Sequence, residues 1–229
     1  RLVSSHSTNC IMVRTSLFDL LERMIFMYEF GMIDRLPKSF TLSQEQSHRI
    51  EMTKKAFQFC DSLERRGIQY DYCIRHQEAT GCVDYSRWDD YLGENYAVGK
   101  HLLVQERKGE KKKYLVITDS SKQVDLKSLK EKLDCRKLEF VSPSDMESLI
   151  NATPGNVSIF NMIYDENKEI ELIIDEDLVN ADEIAFHPLY NGMSIFMPLR
   201  ECFYFLATIG RSAEVMPIPA KGEEKVLIK

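Results

Sequence analysis

The 229-residue chain is 44% hydrophobic and 29% charged, a globular composition with enough apolar residues to bury a sizeable core. Its length suits one domain with an appendage, or two small domains. A net charge of −6 argues against wholesale coating of duplex nucleic acid, though a local basic patch can still hold one RNA end. In chain order, "SLFDLLERMIFMYEFGMI" (16–33) carries Leu17, Leu20, Leu21, Met24 and Ile25 at helical spacing, with Gly31 and Pro37 as stop signals. This N-terminal helix is expected to pack on the main domain or on a second subunit, and the boundary worth drawing falls near residues 37–41. The residues 41–67 predict a second helix, capped by Ser43 and stopped by Gly67. "IQYDYCI" (68–74) alternates like a strand, and 75–98, with Trp88, reads as irregular.

From Lys100 the pattern is regular. "KHLLVQE" and "KYLVITD" predict two strands joined by a glycine-containing hairpin. "DLKSLKEKL" (125–133) predicts a helix capped by Asp125, and "KLEFV" (137–141) a strand. "SPSDMESLI" (142–150) predicts a helix with Ser142 as cap, Pro143 in the first turn and Asp145 completing a capping-box pattern. "TPGNVSIF" (153–160) reads as a Pro-Gly turn entering a strand. Strands are expected at 169–175, 183–186, 193–197 and 213–219, with a helix at 198–210 and a charged tail after it. Strands alternating with short helices, some joined by hairpins, predict an α+β fold: a mixed, largely antiparallel central sheet flanked by helices, with the N-terminal helix added.

Several chemistries lack their residues. No phosphate-binding P-loop, Gly-x-Gly-x-x-Gly or Gly-x-Ser-x-Gly occurs. The five histidines (6, 48, 76, 101, 187) contain no His-x-x-x-His, and the six cysteines form no Cys-x-x-Cys pair, so no metal or cofactor is expected. The cysteines read as reduced core fillers of a cytoplasmic protein. The acidic run Asp175-Glu176-Asp177 can serve a cation, but carboxylates opening a short helical turn are the stronger reading. The basic run 108–113 reads first as a solvated hairpin tip and second as an RNA-phosphate contact. No run is apolar enough over a membrane's thickness, and "RLVSSHSTN" lacks the features of a signal peptide. A start at Arg1 without methionine is expected of a fragment or a processed chain.

His187 stands where an apolar strand (Ile184, Ala185, Phe186) meets Pro188. Alone it is a structural histidine at a strand end or a binding-site residue. The blocks "VGKHLLVQERKGEKKKYLVITD", "VDLKSLKEKL", "LEFVSPSDMESLI", "TPGNVSIFNMI" and "IIDEDLVNADEIAFHPLYN" change the balance, because they fall in one order at matching separations. Together they resemble the prolyl-tRNA editing domain family, the YbaK-like aminoacyl-tRNA deacylases that include the PrdX type, from about Gly67 to about Pro219. The first 40 residues are not covered. The expected domains are 1–40, a helical extension set off by the boundary near residues 37–41, and 41–229, which the resemblance makes the editing domain.

It also implies hydrolysis of the ester in mischarged aminoacyl-tRNA, with alanine or a similar small residue on tRNA(Pro) as substrate and no metal or covalent nucleophile. The implied partner is the aminoacylated tRNA 3′ end; separately, the apolar content of residues 16–33 suggests a docking helix for prolyl-tRNA synthetase or a second copy. The family's Lys-Asn pair is Lys100-His101 here, and its Gly-x-x-x-Pro loop is Gly155, Asn156, Val157, Ser158 and Ile159, with the proline replaced. Its Phe-His-Pro and following Asn are Phe186, His187, Pro188 and Asn191; a His-Pro-Pro near the first strand is reduced to His76. On the resemblance Lys100 and His187 are catalytic, while His101, the five loop residues, Phe186 and Asn191 bind substrate. A binding module without turnover is the alternative that the replaced Asn and Pro positions motivate.

Overall fold

The computed structural model describes residues 9–11, 43–76, 95–108 and 111–222. Helix α1 (Gln44–Arg65) opens with a reciprocal capping box: Gln46 N–H donates to Ser43 Oγ and Ser43 N–H to Gln46 Oε1. Ile50, Thr53, Ala56, Phe59, Cys60 and Leu63 form its buried stripe at helical spacing. The predicted N-terminal helix, Trp88 and the tip of the hairpin lie outside the described residues.

Among the described residues nine strands make the sheet: β1 (Asn9–Ile11), β2 (Tyr72–Arg75), β3 (Tyr96–Glu106), β4 (Lys113–Asp119), β5 (Leu138–Phe140), β6 (Ile170–Asp175), β7 (Glu183–Phe186), β8 (Met193–Met197) and β9 (Ala213–Met216). Their order is β1-β2-β8-β7-β3-β4-β6-β9, with β5 paired to β3 off this path. The fold is α+β and the sheet mixed. Its pairings divide evenly, with β2–β8, β7–β8, β3–β4 and β3–β5 antiparallel and β1–β2, β3–β7, β4–β6 and β6–β9 parallel, so the parallel share exceeds what the hairpin signals alone suggest.

Three further helices are α2 (Leu126–Lys132), α3 (Pro143–Ile150) and α4 (Leu199–Thr208). Asp125 caps α2 by accepting from Lys127 N–H, and Ser142 caps α3 by accepting from Asp145 N–H. Asp145 answers through its carboxylate, which accepts from Ser142 Oγ at 2.8 Å.

The segment 153–160 departs from its sequence reading. No strand forms there. After the Pro154-Gly155 turn the chain enters a 3₁₀ helix, η1 (Ile159–Ile163). Side-chain bonds override the alternation of Val157 and Ile159: Ser158 N–H donates to Asn161 Oδ1 at 2.7 Å, and Asn161 Nδ2 donates to the Ile150 carbonyl at 3.1 Å. The strand expected at 68–74 is shorter and later, at Tyr72–Arg75, while β3 starts four residues before Lys100. The acidic run opens a second 3₁₀ helix, η2 (Glu176–Asn180), capped by Asp175. Lys122 pairs with both Asp175 (2.7 Å) and Asp177 (2.6 Å).

The main core lies between the sheet and α1, α4 and η1. Phe160 stands at its centre, with ring centroids 5.2 Å from Phe59, 5.0 Å from Phe205 and 6.1 Å from Phe186. Each such aromatic pair contributes about 0.5–1.5 kcal/mol beyond its buried area. A second cluster (Val104, Tyr114, Val116, Leu129, Ile173) lies under α2. Cys60, Cys73 and Cys202 lie buried in the main core. Among the described residues no helix is long and apolar enough to cross a membrane.

Candidate active site

The site begins with a break in strand pairing. One edge of β3 is held by β4 from Gly99 to Gln105. The opposite edge is held by β7 at Tyr96–Val98 and by β5 at Val104–Glu106. Between these, Gly99–Leu103 has no strand partner on that edge. A cavity of about 520 Å³ fills the break, lined by every residue from Val98 to Leu103. Phe140, Val141, Pro143 and Met146 close one side, Ala185, His187 and Ser194 the other, with Pro154, Gly155 and Val157 over the mouth.

Consecutive strand residues project to opposite faces, so Lys100 and His101 leave β3 in opposite directions. The break lets one cavity reach both. Gly99 permits the entry of β7: a Cβ there would stand 2.7 Å from the Phe186 ring and 3.2 Å from the Ala185 carbonyl oxygen.

The Lys100 ammonium donates to the Ser120 carbonyl at 3.0 Å and to the Lys122 carbonyl, both just after β4. An ammonium carries three N–H donors, so one direction remains for a ligand. Burial alone would raise the neighbouring Asp119 carboxyl. Hydrogen bonds from Ser121 and Val98, with the charge of Lys100, outweigh burial and hold it below the usual carboxylate range.

The loop above presents backbone. Gly155 has φ +88°, a left-handed conformation that glycine adopts without strain. Asn156 N–H donates to the Thr153 carbonyl and Ser158 N–H to Asn161 Oδ1, while the amides of Gly155 and Val157 make no hydrogen bond in the described structure. Asn191 ties the loop down: its N–H donates to Asn156 Oδ1 at 2.9 Å and its Nδ2 to the Gly155 carbonyl at 3.2 Å.

His187 follows β7 directly. Its carbonyl accepts from Ser158 Oγ at 2.7 Å and from Leu189 N–H at 2.9 Å, which fixes the strand end against the loop. Burial, with a smaller contribution from His76, pushes the His187 imidazole down to about 4. His76 Nε2 lies 2.9 Å from Ser194 Oγ on β8, in the cavity wall. His101 rests its ring 5.5 Å from that of Phe186, and burial, then His187, pushes it down to about 3. Both imidazoles are therefore neutral near pH 7, each with one donor and one acceptor. Among the described residues no group of three or more His, Cys, Asp or Glu side chains is placed to hold a metal ion.

Five of the ten residues singled out in the sequence line the cavity: Lys100, His101, Gly155, Val157 and His187. The other five stand behind its wall. Ile159 and Phe186 are 0% and 1% exposed in the main core, so the side chains expected to touch substrate there pack the scaffold instead. Asn156, Ser158 and Asn191 hold the loop through the bonds just described. Sequence reasoning passed over Ser194, Phe140, Val141 and Met146. Only long-range pairing (β8 to β2, β5 to β3) brings them to the break; the sole local signal was the capped start of α3.

The chain is similar to known proteins in the stretch that builds this site. The family model described as "Aminoacyl-tRNA editing domain" matches residues 88–203. The chain belongs to the aminoacyl-tRNA editing domain family. It is 34% identical over 130 residues to the prolyl-tRNA editing protein ProX of Acetoanaerobium sticklandii, covering 57% of this chain and 78% of that protein. A crystal structure provisionally described as a trans-editing enzyme for prolyl tRNA synthetase superposes with a TM-score of 0.54 at 17% identity, over 78% of this chain and 98% of that one. A scaffold from work on epitope backbone grafting by computational design gives 0.54 at 19% identity, over 74% and 98% of the two chains. These two likenesses establish the fold. Family membership makes the protein an aminoacyl-tRNA editing enzyme, an ester hydrolase by reaction class.

Proposed function

We propose that the protein acts in trans on tRNA(Pro), removing a small amino acid, alanine or one of similar size, that has been wrongly attached. The observation that carries this is the cavity at the break in β3, where Lys100, the Gly155 loop and His187 converge from three separate stretches of chain. The reaction adds water across the ester. Water oxygen bonds to the carbonyl carbon, the bond to the ribose oxygen breaks, and a water proton ends on that ribose oxygen. Free amino acid and uncharged tRNA leave.

An aminoacyl ester is already activated, so the protein's task is orientation and charge stabilisation. In this reading the unpartnered amides of Gly155 and Val157 receive the developing oxyanion, because glycine lets the substrate approach the backbone closely. The remaining N–H of Lys100 binds the carbonyl oxygen or the terminal phosphate. His187, neutral near pH 7, holds the attacking water or the aminoacyl end rather than carrying charge. Residues 41–229 form the editing domain, the aminoacylated 3′ end is its partner, and prolyl-tRNA synthetase supplies the errors it clears in the cytoplasm.

The test is deacylation of tRNA(Pro) charged with alanine, serine, threonine, cysteine or proline. Hydrolysis of at least one mischarged species well above its spontaneous rate, with Pro-tRNA(Pro) spared, is the expected result. Intact esters throughout would sink the reading, and saturable binding without hydrolysis would favour a non-catalytic binding module.

A further inference from the structure

His101 leaves β3 on the side opposite Lys100. Leu103, Val141, Met146 and Val157 line the cavity with it and belong to the main core, the Phe186 ring lies 5.5 Å from its own, and His187 is a neighbouring polar side chain. Both ring nitrogens of His101 are shielded from solvent, and neither has a hydrogen-bond partner. Buried polar atoms are rarely left unpaired in folded proteins, so an imidazole in this state on a cavity wall marks where a ligand's polar group completes the bonding. Burial keeps the ring neutral, so it offers one donor and one acceptor and carries no charge to draw in a carboxylate side chain.

We propose that His101 selects the amino acid to be removed, and that the preferred substrate carries a side-chain hydroxyl, as serine and threonine do. A hydroxyl can donate to the bare ring nitrogen or accept from the protonated one, and the neutral tautomer adapts to either. The methyl group of alanine leaves both nitrogens unpaired. Threonine's extra methyl meets the surrounding aliphatic wall. This inference rests on the deacylase reading and changes its preferred substrate from alanine to a hydroxylated residue of similar size.

Discrimination by a polar pocket is strong because the analogue lacking the group strands the pocket's own polar atoms. Sites built this way reach about 10⁴–10⁵-fold, and a single neutral bond here should give on the order of 10²-fold. The experiment compares kcat/KM on Ser-, Thr- and Ala-charged tRNA(Pro) for the full chain, His101→Phe and His101→Asn. The wild type should favour the hydroxylated substrates by roughly 10²-fold. His101→Phe should bring the serine-to-alanine ratio close to one, and His101→Asn, which keeps a donor and an acceptor, should retain part of it. Each ratio is taken within one protein, so general damage to a variant cancels.

Competition by non-hydrolysable seryl- and alanyl-adenosine amides against the wild type gives a second readout that needs no variant to fold. Tighter seryl binding supports the assignment. Equal or better handling of alanine by the wild type, or a ratio unmoved in His101→Phe, overturns it while leaving the deacylase reading standing. If nothing is hydrolysed, the deacylase reading falls, and equal binding of the two amides would then remove the role of His101 as well.

Discussion

Two buried polar sites in this molecule are built in opposite ways. At the far end of β6, Asp165 and Arg211 form an ion pair at 2.6 Å with side chains 3% and 6% exposed. Asp165 also accepts from Glu169 N–H (3.0 Å) and Ile170 N–H (3.1 Å), and Arg211 also donates to the Ile170 carbonyl. Charge and hydrogen bonds close on themselves. At the break in β3, two loop amides, both His101 nitrogens and His187 Nδ1 lack partners. The first arrangement fixes the turn between α4 and β9 to the start of β6. The second leaves bonds to be made by something that enters. Between these two sites, completeness of bonding marks the difference more clearly than burial does, since both are buried.

That contrast can be broken by mutation. Arg211→Ala strands a buried carboxylate and should cost about 3–5 kcal/mol in stability, read from denaturant unfolding, while the folded fraction keeps its kcat. Lys100→Ala should do the reverse, lowering kcat by roughly 10²–10³-fold as expected for loss of a charge stabiliser, with a smaller change in unfolding midpoint. Gly99→Ala should cost about 1–3 kcal/mol, because the new methyl meets the Phe186 ring and the Ala185 carbonyl where β7 joins β3. Gly155→Ala places a side chain at φ +88° and should cost about 1 kcal/mol, lowering kcat with little effect on the rest of the fold.

The pH dependence is finer. His101 and His187 have folded values pushed to about 3 and about 4, below the ordinary histidine value. The unfolded chain therefore binds more protons in this range. The contribution of these two groups is complete above the ordinary value and is lost as pH falls through their folded values of about 4 and about 3. Unfolding midpoints should change little through these residues above pH 7 and decline between about pH 6.5 and 3, and His101→Phe should flatten that decline. The smallest effect is expected at the exposed Glu51–Lys55 pair on α1: Glu51→Gln should leave both unfolding and activity unchanged within error.

Much of the scaffold is legible locally. Ser43, Asp125 and Ser142 announce helix starts, and the alternating runs around the 107–112 turn announce the β3–β4 hairpin. The stretch 153–160 misleads because Val157 and Ile159 alternate as in a strand, whereas the side chains of Ser158 and Asn161 bond the backbone into a 3₁₀ turn. β1, three residues long, is too short to carry a period. For the site, the glycine loop and the strand-ending histidine stand out in the sequence, and they are brought together in space. The break that makes the cavity does not stand out, because it depends on where β7 stops and β5 starts along β3. Ile159 and Phe186 look like site residues only by adjacency, and their side chains turn into the core.

The measurement that tests the central claim most directly is single-turnover deacylation of mischarged tRNA(Pro) by the wild type and Lys100→Ala, with the two proteins matched by thermal unfolding. Hydrolysis by the wild type that falls at least about 10²-fold in the variant is the predicted result, and it would place the chemistry at the break in β3. Equal rates from two folded proteins would contradict the account, since the ester would then be cleaved without the one cation that lines the cavity among the described residues.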